Sequence, residues 1–405
     1  MPATSIDLTA AEVIADPYPH FAAERLRHTV AWHEASERWL TFGHASANAV
    51  LRDRRLGRIW QDRQPADRFT PFNLLHRNQM MENEPPDHTR LRRLVAGAFA
   101  RGHVERLRPR VRALARQLLD QVDPDDFDVI GEYAEPLPVL VIAELLGVPP
   151  ELAPELRRWS QAIVRMYEAD PGQEREGAAV EAAARFAATI RDLARERAER
   201  PEDDLVSDLV AARIPATAGS ATLSEDEVVA SAVLLLNAGH EASVNVFGNG
   251  LVAMLRRGLV PDPDRVPACV EEMLRFDSAL QLFERTATED VEIDGVTVAR
   301  GQRIAALLGA ANRDPAVFPD ADAFLVDRDP NPHLAFGAGL HFCLGAPLAR
   351  MELVESLTHL WNVVPGLRLV ADPVRRDTFV LRGYTAVRVG HSPGRRSGAW
   401  HSTMR

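Results

Sequence analysis

Lysine is absent from this chain of 405 residues, so all 47 basic side chains are arginine. Chemistry that forms a Schiff base on a lysine amine is therefore excluded. There are only two cysteines, Cys269 and Cys343, and two do not make a disulfide framework. No apolar run approaches the ~18 residues that a membrane span needs, and the N-terminus has neither the basic start nor the apolar centre of a signal peptide. These absences predict a cytoplasmic protein without a membrane anchor.

The composition is that of a large globular protein, with 46% hydrophobic and 26% charged residues. Length alone would suggest two or three domains. The formal net charge is −11, which argues against a general nucleic-acid-binding protein because nucleic acids attract basic surfaces.

Cys343 lies in a glycine-rich segment, residues 331–352, that runs directly into a helical pattern. A helix that begins just after a cysteine points free N–H groups and a positive dipole at the sulfur, which favours the thiolate. Iron is a natural partner for such a thiolate. An isolated cysteine is nevertheless more often a buried structural thiol, so the spacing of its neighbours decides between these interpretations.

The spacing is specific: Phe336, Gly339, Cys343 and Gly345 form the pattern Phe-x-x-Gly-x-x-x-Cys-x-Gly. On these residues the segment resembles the haem-binding signature of the cytochrome P-450 family. The resemblance implies a mainly α fold with small β-sheets, in a single large domain over residues 1–390. It also implies haem (heme b, iron protoporphyrin IX) with Cys343 as the iron ligand. A Gly/Ser/Arg tail, residues 391–405, is predicted to be disordered.

Four further residues are candidates for binding the haem propionates. His88 and Arg92 are four residues apart and share one face of a predicted helix. By itself this pair is a weak signal, but two cationic donors suit a carboxylate, and the resemblance implies that role. Arg285 and His341 match further propionate contacts of the family. His333 is a weaker candidate, because its position would equally serve to cap the loop.

A capping box, Ser224 to Glu227, opens a long apolar helix that is predicted to end near Leu255. Polar residues in the middle of such a helix are costly to bury, so Glu241 and Ser243 suggest a function. Glu241 fills the acid position of the family pattern, but Ala242 stands where a threonine is expected. The threonine hydroxyl helps protons reach the reacting oxygen, and alanine cannot do this.

Two groups of family members also lack the threonine at the position of Ala242. A few members that oxidise polyketide macrolactones have the same Glu-Ala-Ser pattern, and there a substrate hydroxyl and ordered water replace the threonine. Members that couple aromatic rings also depart here. The prediction is that Glu241, with Ser243 and water, relays protons past Ala242.

Glu272 and Arg275 lie one helical turn apart and can form an ion pair. Such a pair is usually exposed, but the resemblance implies a buried network completed by Arg328, with a structural role.

The remaining elements are predicted from local patterns. We expect a leading helix from Pro19 to Arg27, hairpins at 30–42 and 291–298, and strands at 378–389. Residues 60–85 carry several prolines and predict mostly loop. In the family this stretch helps to shape the substrate pocket, whereas the alternative is an ordinary surface loop. Residues 151–200 resemble the mobile helix pair that opens over the pocket; their apolar residues are equally consistent with core packing.

Seven arginines and a single acid occupy residues 88–110. This basic stretch is either a solvated helix face or, extended to Arg112 and joined by Arg350 after the cysteine, a docking site for an acidic ferredoxin. The chain has no flavin or iron–sulfur module, so we expect electrons from NAD(P)H through a ferredoxin and its reductase.

The sequence thus predicts a monomeric haem-thiolate monooxygenase. It would hydroxylate or epoxidise a mid-sized organic substrate of secondary metabolism, of polyketide or macrolide type. Two alternatives stay open: an oxidase of the same fold that couples or desaturates without oxygen insertion, and a non-catalytic haem-binding sensor or carrier.

Overall fold

The computed structural model describes residues 1–99, 103–168, 172–214 and 221–391. The helices are α1 Ala11–Ala15, α2 Tyr18–Arg27, α3 His44–Arg52, α4 Thr70–Arg77, α5 Asp87–Phe99, α6 His103–Leu119, α7 Pro136–Leu146, α8 Ala153–Val164, α9 Gly172–Glu199, α10 Leu205–Ala211, α11 Glu225–Leu255, α12 Val266–Phe276, α13 Leu308–Ala311 and α14 Ala346–Val363. The strands are β1 Ala3–Thr4, β2 Val30–His33, β3 Arg38–Thr41, β4 Leu56–Gly57, β5 Phe127–Asp128, β6 Arg213–Ile214, β7 Ala221–Thr222, β8 Leu282–Ala287, β9 Val291–Ile293, β10 Val296–Val298, β11 Arg303–Leu307, β12 Arg368–Leu369, β13 Val374–Arg375, β14 Tyr384–Ala386 and β15 Arg388–Gly390. The predicted mainly α fold with small sheets is confirmed. The predicted tail, residues 391–405, lies outside the described residues apart from His391.

The largest sheet has the strand order β1-β2-β3-β11-β8-β4 and packs against α3. The predicted hairpin at 30–42 is its antiparallel pair β2–β3, in which Trp32 lies opposite Trp39. The second predicted hairpin is β9–β10. Its turn residues Asp294 and Gly295 have φ values of 50° and 76°, which suits the tight turn that an Asp-Gly pair favours.

Helix α11 runs through the centre of the molecule and packs against α4, α7, α9 and α12. Its N-terminus is the predicted capping box: the Glu227 N–H donates to Ser224 Oγ at 3.2 Å, and the Ser224 N–H donates to a Glu227 carboxylate oxygen at 2.8 Å. The capping box thus gives partners to backbone N–H groups that the first turn of a helix leaves unpaired.

The prediction of mostly loop at residues 60–85 is wrong for α4 and for a 3-10 turn at Met80–Glu82. The prolines of this stretch predict an interruption of any helix. Pro71, however, is the second residue of α4, a position where no backbone N–H is needed and the fixed φ suits a helix.

Helix α4 is held by polar and aromatic contacts. The buried Asn73 amide bonds both backbone groups of Arg63, at 3.0 and 3.1 Å. The Arg63 guanidinium in turn donates to the carbonyl of Met166 at 2.9 Å, just beyond α8. His76 is buried, and its ring stacks on Trp60 with centroids 4.5 Å apart. This segment is therefore fixed to the helix pair α8–α9 by specific side chains.

The predicted helix pair at 151–200 is present as α8 and α9. Trp159, Ile163, Met166 and Phe186 are buried, and the rings of Trp159 and Phe186 lie 5.7 Å apart.

The predicted buried ion network is confirmed. Glu272 and Arg275 are fully buried and joined by two hydrogen bonds of 2.6 and 2.7 Å. Arg328 donates to Glu272 at 3.2 Å, and the Arg275 guanidinium also donates to backbone carbonyls, including that of Ala321 at 2.9 Å. Each buried charge thus has the partners that offset its loss of hydration.

The prediction of strands over 378–389 is correct only for its second half, where β14 and β15 lie. Residues 378–382 are irregular and are joined to residues 279–281 by single backbone contacts, such as Gln281 N–H to the Val380 carbonyl at 2.9 Å.

Asp277 fastens the C-terminal hairpin β13–β14 to the N-terminal part of the chain. Its buried carboxylate accepts from Tyr18 at 2.7 Å, from Arg382 at 2.7 Å and from Arg375 at 3.3 Å. Arg382 also donates to the carbonyl of Ala15 at 2.8 Å. Among the described residues, no helix is long and apolar enough to cross a membrane.

Candidate active site

The loop that carries Cys343 is closed by its own backbone. The Cys343 N–H donates to the Phe336 carbonyl at 3.0 Å. Gly339 has a φ of +70°, and a Cβ there would lie 2.4 Å from the carbonyl oxygen of Leu51. Only glycine fits this close approach to the end of α3. The spacing in the sequence pattern therefore has a steric cause.

The surroundings of the Cys343 sulfur have opposing effects on the pKa of its thiol. Burial raises the pKa of the Cys343 thiol, whereas the N–H groups of Gly345 and Ala346 and the charges of Arg92 and Arg350 act to lower it. These donors stand ready for a thiolate, and a bound metal ion would complete the deprotonation. The other cysteine, Cys269, is fully buried, and burial raises the pKa of its thiol to about 12. Cys269 has the surroundings of an inert structural thiol.

His88 is buried with both ring nitrogens lacking a hydrogen-bond partner in the described part of the chain. Burial lowers the pKa of His88 to about 4, and the nearby charges of Arg92 and Arg285 add to the effect. The rings of His88 and His341 lie 4.5 Å apart. Since buried polar atoms are normally paired, the free nitrogens of His88 indicate a polar group of a ligand.

Arg285 is also buried, and its guanidinium donates to a backbone carbonyl; no carboxylate of the described residues forms an ion pair with it. Burial, followed by the charge of Arg58, lowers the pKa of Arg285 to about 9. His341 Nε2 lies 2.8 Å from a Glu84 carboxylate oxygen. Arg92 donates to the carbonyl of Phe342 at 2.7 Å, directly beside the cysteine. The structure thus brings the four predicted cofactor-binding residues and Cys343 into one cluster.

His333, the weaker candidate, bonds elsewhere. Its Nε2 lies 3.0 Å from a Glu271 carboxylate oxygen, and its Nδ1 accepts from the Ala335 N–H at 3.3 Å. This is the loop-capping arrangement.

Helix α11 has one open face. Every residue from Val228 to Met254 is buried except Ala238, Gly239, Ala242 and Ser243. All four side chains are small, so a flat group can lie against the helix here. A Cβ on Gly239 would come within 3.2 Å of Ile142 on α7, so α7 borders this face and a side chain larger than glycine would crowd it.

The three predicted catalytic residues differ in their surroundings. Ala242 lies on the open face. The Ser243 hydroxyl donates to the Gly239 carbonyl at 3.1 Å, within its own helix. Glu241 is buried, and its carboxylate accepts from Arg376 at 3.0 and 3.3 Å. No hydrogen bond joins Glu241 to Ser243 in the described part of the structure.

Sequence reasoning missed Arg376, Glu84 and Glu352 near the site. Arg376 and Glu84 have no local signal, because each meets its partner only in the folded chain. Glu352 on α14 is buried with one carboxylate oxygen unpartnered among the described residues, and burial raises its pKa to about 8. It shares a helix face with buried Leu348, four residues earlier, so an acid at an apolar position was the available signal.

The predicted basic stretch is partly neutralised by acids. Arg108 and Arg112 both pair with Glu355, at 2.8 and 2.7 Å, and Arg350 pairs with Glu271 at 2.6 Å. Arg101 lies outside the described residues. Arg93 is exposed and forms no ion pair within the described ranges.

In the described part of the chain, Cys343 has converging N–H donors, His88 has free ring nitrogens, and Arg92 and Arg285 form no ion pair with a carboxylate. Together with the open helix face, these features fit a flat, anionic, iron-bearing group. Cys343 would bind the iron, and His88, Arg92, Arg285 and His341 would surround the carboxylates. These features define a haem-thiolate protein.

Comparison with known proteins identifies the family. A sequence profile described as Cytochrome P450 matches residues 265–361. The mycinamicin IV hydroxylase/epoxidase of Micromonospora griseorubida is 40% identical over 342 residues, which cover 82% of this chain and 83% of the relative. The 6-deoxyerythronolide B hydroxylase of Saccharopolyspora erythraea is 38% identical, with 89% and 90% covered.

The fold agrees with these sequences. The crystal structure of P450BioI in complex with a hexadec-9Z-enoic acid ligated acyl carrier protein superposes with a TM-score of 0.88 at 32% identity, covering 94% of this chain and 99% of that chain. The chain belongs to the cytochrome P450 family. It is an oxygen-incorporating oxidoreductase of the bacterial type.

Proposed function

We propose that this monooxygenase inserts one oxygen atom into a macrolide-like or other mid-sized polyketide substrate, by hydroxylation or epoxidation. Ala242 carries the proposal: this position on the open face of α11 has no hydroxyl, and the Ser243 hydroxyl is held by the Gly239 carbonyl, so a substrate group can supply the missing one. The two relatives named for mycinamicin IV and 6-deoxyerythronolide B support this substrate class.

Haem, when bound through Cys343, supplies the oxygen-activating chemistry of a thiolate-ligated iron. His88, Arg92, Arg285 and His341 would hold its carboxylates with charge-assisted hydrogen bonds. Glu241 would supply protons toward the open face. Ala242 leaves room for a substrate hydroxyl and ordered water. Ser243 is held by the Gly239 carbonyl and would join this relay only through its oxygen lone pairs.

Electrons would come from NAD(P)H through a ferredoxin reductase and a ferredoxin. The exposed arginines of α5 and α6, with Arg93 as the clearest free charge, form the docking face for an acidic carrier. The ion pairs of Arg108 and Arg112 to Glu355 reduce the charge of this face and predict modest salt dependence.

The experiment is turnover under labelled dioxygen with a panel of macrolactones, terpenoids and aromatic compounds. Compounds that bind would first be selected by the shift of the haem absorption band when they displace the iron-bound water. One labelled atom in the product supports the proposal. A product without label, made by coupling or desaturation, would favour the second candidate, an oxidase, which the absence of a hydroxyl at Ala242 keeps open.

A further inference from the structure

The hairpin β13–β14 lies along α11 and follows it for two turns. Tyr384 lies against Gly248, and Gly383 lies against Asn245: a Cβ on Gly383 would be 2.0 Å from the Asn245 amide oxygen. A side chain at position 383 would therefore push the hairpin off the helix. This close fit brings Arg376, whose N–H donates to the Gly383 carbonyl at 3.0 Å, to Glu241.

Two neighbouring arginines of this hairpin form ion pairs with different acids: Arg375 with Asp277, and Arg376 with Glu241. Arg375 donates to Asp277 at 3.3 Å and to the Tyr384 hydroxyl at 2.6 Å, and so holds the hairpin in place. Arg376 reaches both carboxylate oxygens of Glu241 through Nη1, and its Nε lies 3.4 Å from the Tyr384 carbonyl. Only 5% of the Glu241 side chain and 18% of the Arg376 side chain are exposed, so water screens this pair weakly.

Other charged and titratable groups around Glu241 come from α7, α8 and α11 itself. Glu135, at the start of α7, is buried and ion-paired with Arg157 of α8. Burial raises the pKa of Glu135, and the charge of Glu241 adds to this. Burial lowers the pKa of His240 to about 4, so this imidazole is neutral at pH 7.

The charge balance of this cluster depends on Arg376. With it, two buried acids face two arginines. Without it, Glu135 and Glu241 would share Arg157, which Glu135 already holds. A buried carboxylate that loses its cation takes up a proton rather than stay charged.

We propose that Arg376 is a positioning residue: it keeps the Glu241 carboxylate ionised and anchored on the hairpin side of α11, and so sets the proton supply to the open face. Each proton that Glu241 passes on is replaced from solvent water. The role in turnover rests on the proposed function of Glu241.

The test is infrared difference spectroscopy of the resting haem protein, with Glu241→Gln to identify the band. In the wild type, Glu241 should show no protonated-carboxyl band at pH 7. In Arg376→Gln the band should appear at pH 7, and it should be lost in Arg376→Gln/Glu241→Gln. Subtraction of the Glu241→Gln spectrum also removes the contribution of Glu352.

Two variants serve as controls. Arg375→Gln removes the neighbouring cation but not the contact with Glu241, so it should lower stability and leave the Glu241 band unchanged. Arg376→Lys keeps the charge and should restore an ionised Glu241. The pH optimum for product formed per NADPH should move upward by at least one unit in Arg376→Gln and return with lysine.

A Glu241 that is protonated at pH 7 in the wild type would overturn the proposal, even if Arg376→Gln does not fold. So would an ionised Glu241 in Arg376→Gln, or an equal shift in Arg375→Gln. The infrared result needs no turnover. A failure to find labelled oxygen in any product would therefore reject the proposed function separately.

Discussion

The guanidinium of Arg92 donates a 2.7 Å hydrogen bond to the carbonyl of Phe342, the residue directly before Cys343. This contact joins α5 to the cysteine loop, and the Arg92 charge also acts on the sulfur. The residue that would hold a haem carboxylate thus also fixes the backbone beside the iron ligand. Its loss should disturb both the retention and the ligation of the haem.

Cys343→Ala should abolish the absorption band that the reduced protein with carbon monoxide shows when thiolate ligates the haem iron. Cys269→Ala should keep the band, because Cys269 is buried in the core and not in the cluster. Absorption spectra of both purified variants make the comparison. Loss of the band in the Cys269 variant alone would contradict the assignment of the ligand.

Ala242→Thr should restore efficient coupling for substrate analogues that lack the relay hydroxyl. With Ala242 these analogues should bind nearly as well as the substrate yet divert electrons to peroxide. The threonine places a hydroxyl on the open face of α11, and its extra atoms should crowd the natural substrate. Peroxide and product formed per NADPH measure the effect. An unchanged ratio would reject the substrate-assisted relay in favour of one built from Glu241, Ser243 and water.

Arg93→Glu should raise the apparent ferredoxin constant about threefold to tenfold at low salt, because an attractive charge becomes repulsive. Substrate binding should not change. Wild-type turnover should fall as salt rises above roughly 0.1 M, where the screening length is ~10 Å. Arg185→Glu, at an exposed position of α9, is the matched control for a change of net charge. Equal effects in the two variants would argue against docking at α5.

Because His76 is buried, we expect the free energy of unfolding to fall in mild acid. Burial lowers its pKa from an ordinary 6.5 to about 4. The unfolded chain therefore binds a proton at a higher pH than the folded chain, and stability falls as the pH drops from 6.5 toward 4. The full shift corresponds to roughly 3 kcal/mol.

His76→Phe keeps an aromatic ring in the stack with Trp60 and removes the titrating group. Its free energy of unfolding should therefore fall less than that of the wild type between pH 7 and pH 4.5. Urea unfolding at several pH values, with the haem bound, provides the comparison. The same acid loss in both proteins would show that His76 is not the group responsible.

The sequence predicts those parts of the fold that depend on local pattern. The capping box at Ser224, the hairpin at Asp294 and the pairing of Glu272 with Arg275 each need residues that are at most three or four positions apart. The prediction of loop at residues 60–85 fails at α4 because a proline interrupts a helix only away from its first turn, and Pro71 lies in the first turn. What orders α4 is a set of contacts, such as Arg63 with Met166, that come from distant parts of the chain.

The candidate site likewise combines residues that local spacing predicts with residues that only the fold brings together. Cys343, His88 and Arg92 are found through fixed spacings. The partners that control Glu241 and His341, namely Arg376 and Glu84, follow no spacing, because the fold alone brings them together. Their roles had to be read from the structure.

Arg376 follows Glu241 by 135 residues, and Arg382 reaches back 367 residues to Ala15. During synthesis α11 is complete long before the hairpin leaves the ribosome, at about 5–20 residues per second. For that interval the Glu241 carboxylate has no arginine from the hairpin, and an unpaired acid resists burial. The central helix should therefore settle into its final packing only after the last strands have been made, and a nascent chain stopped before residue 376 should remain open around α11.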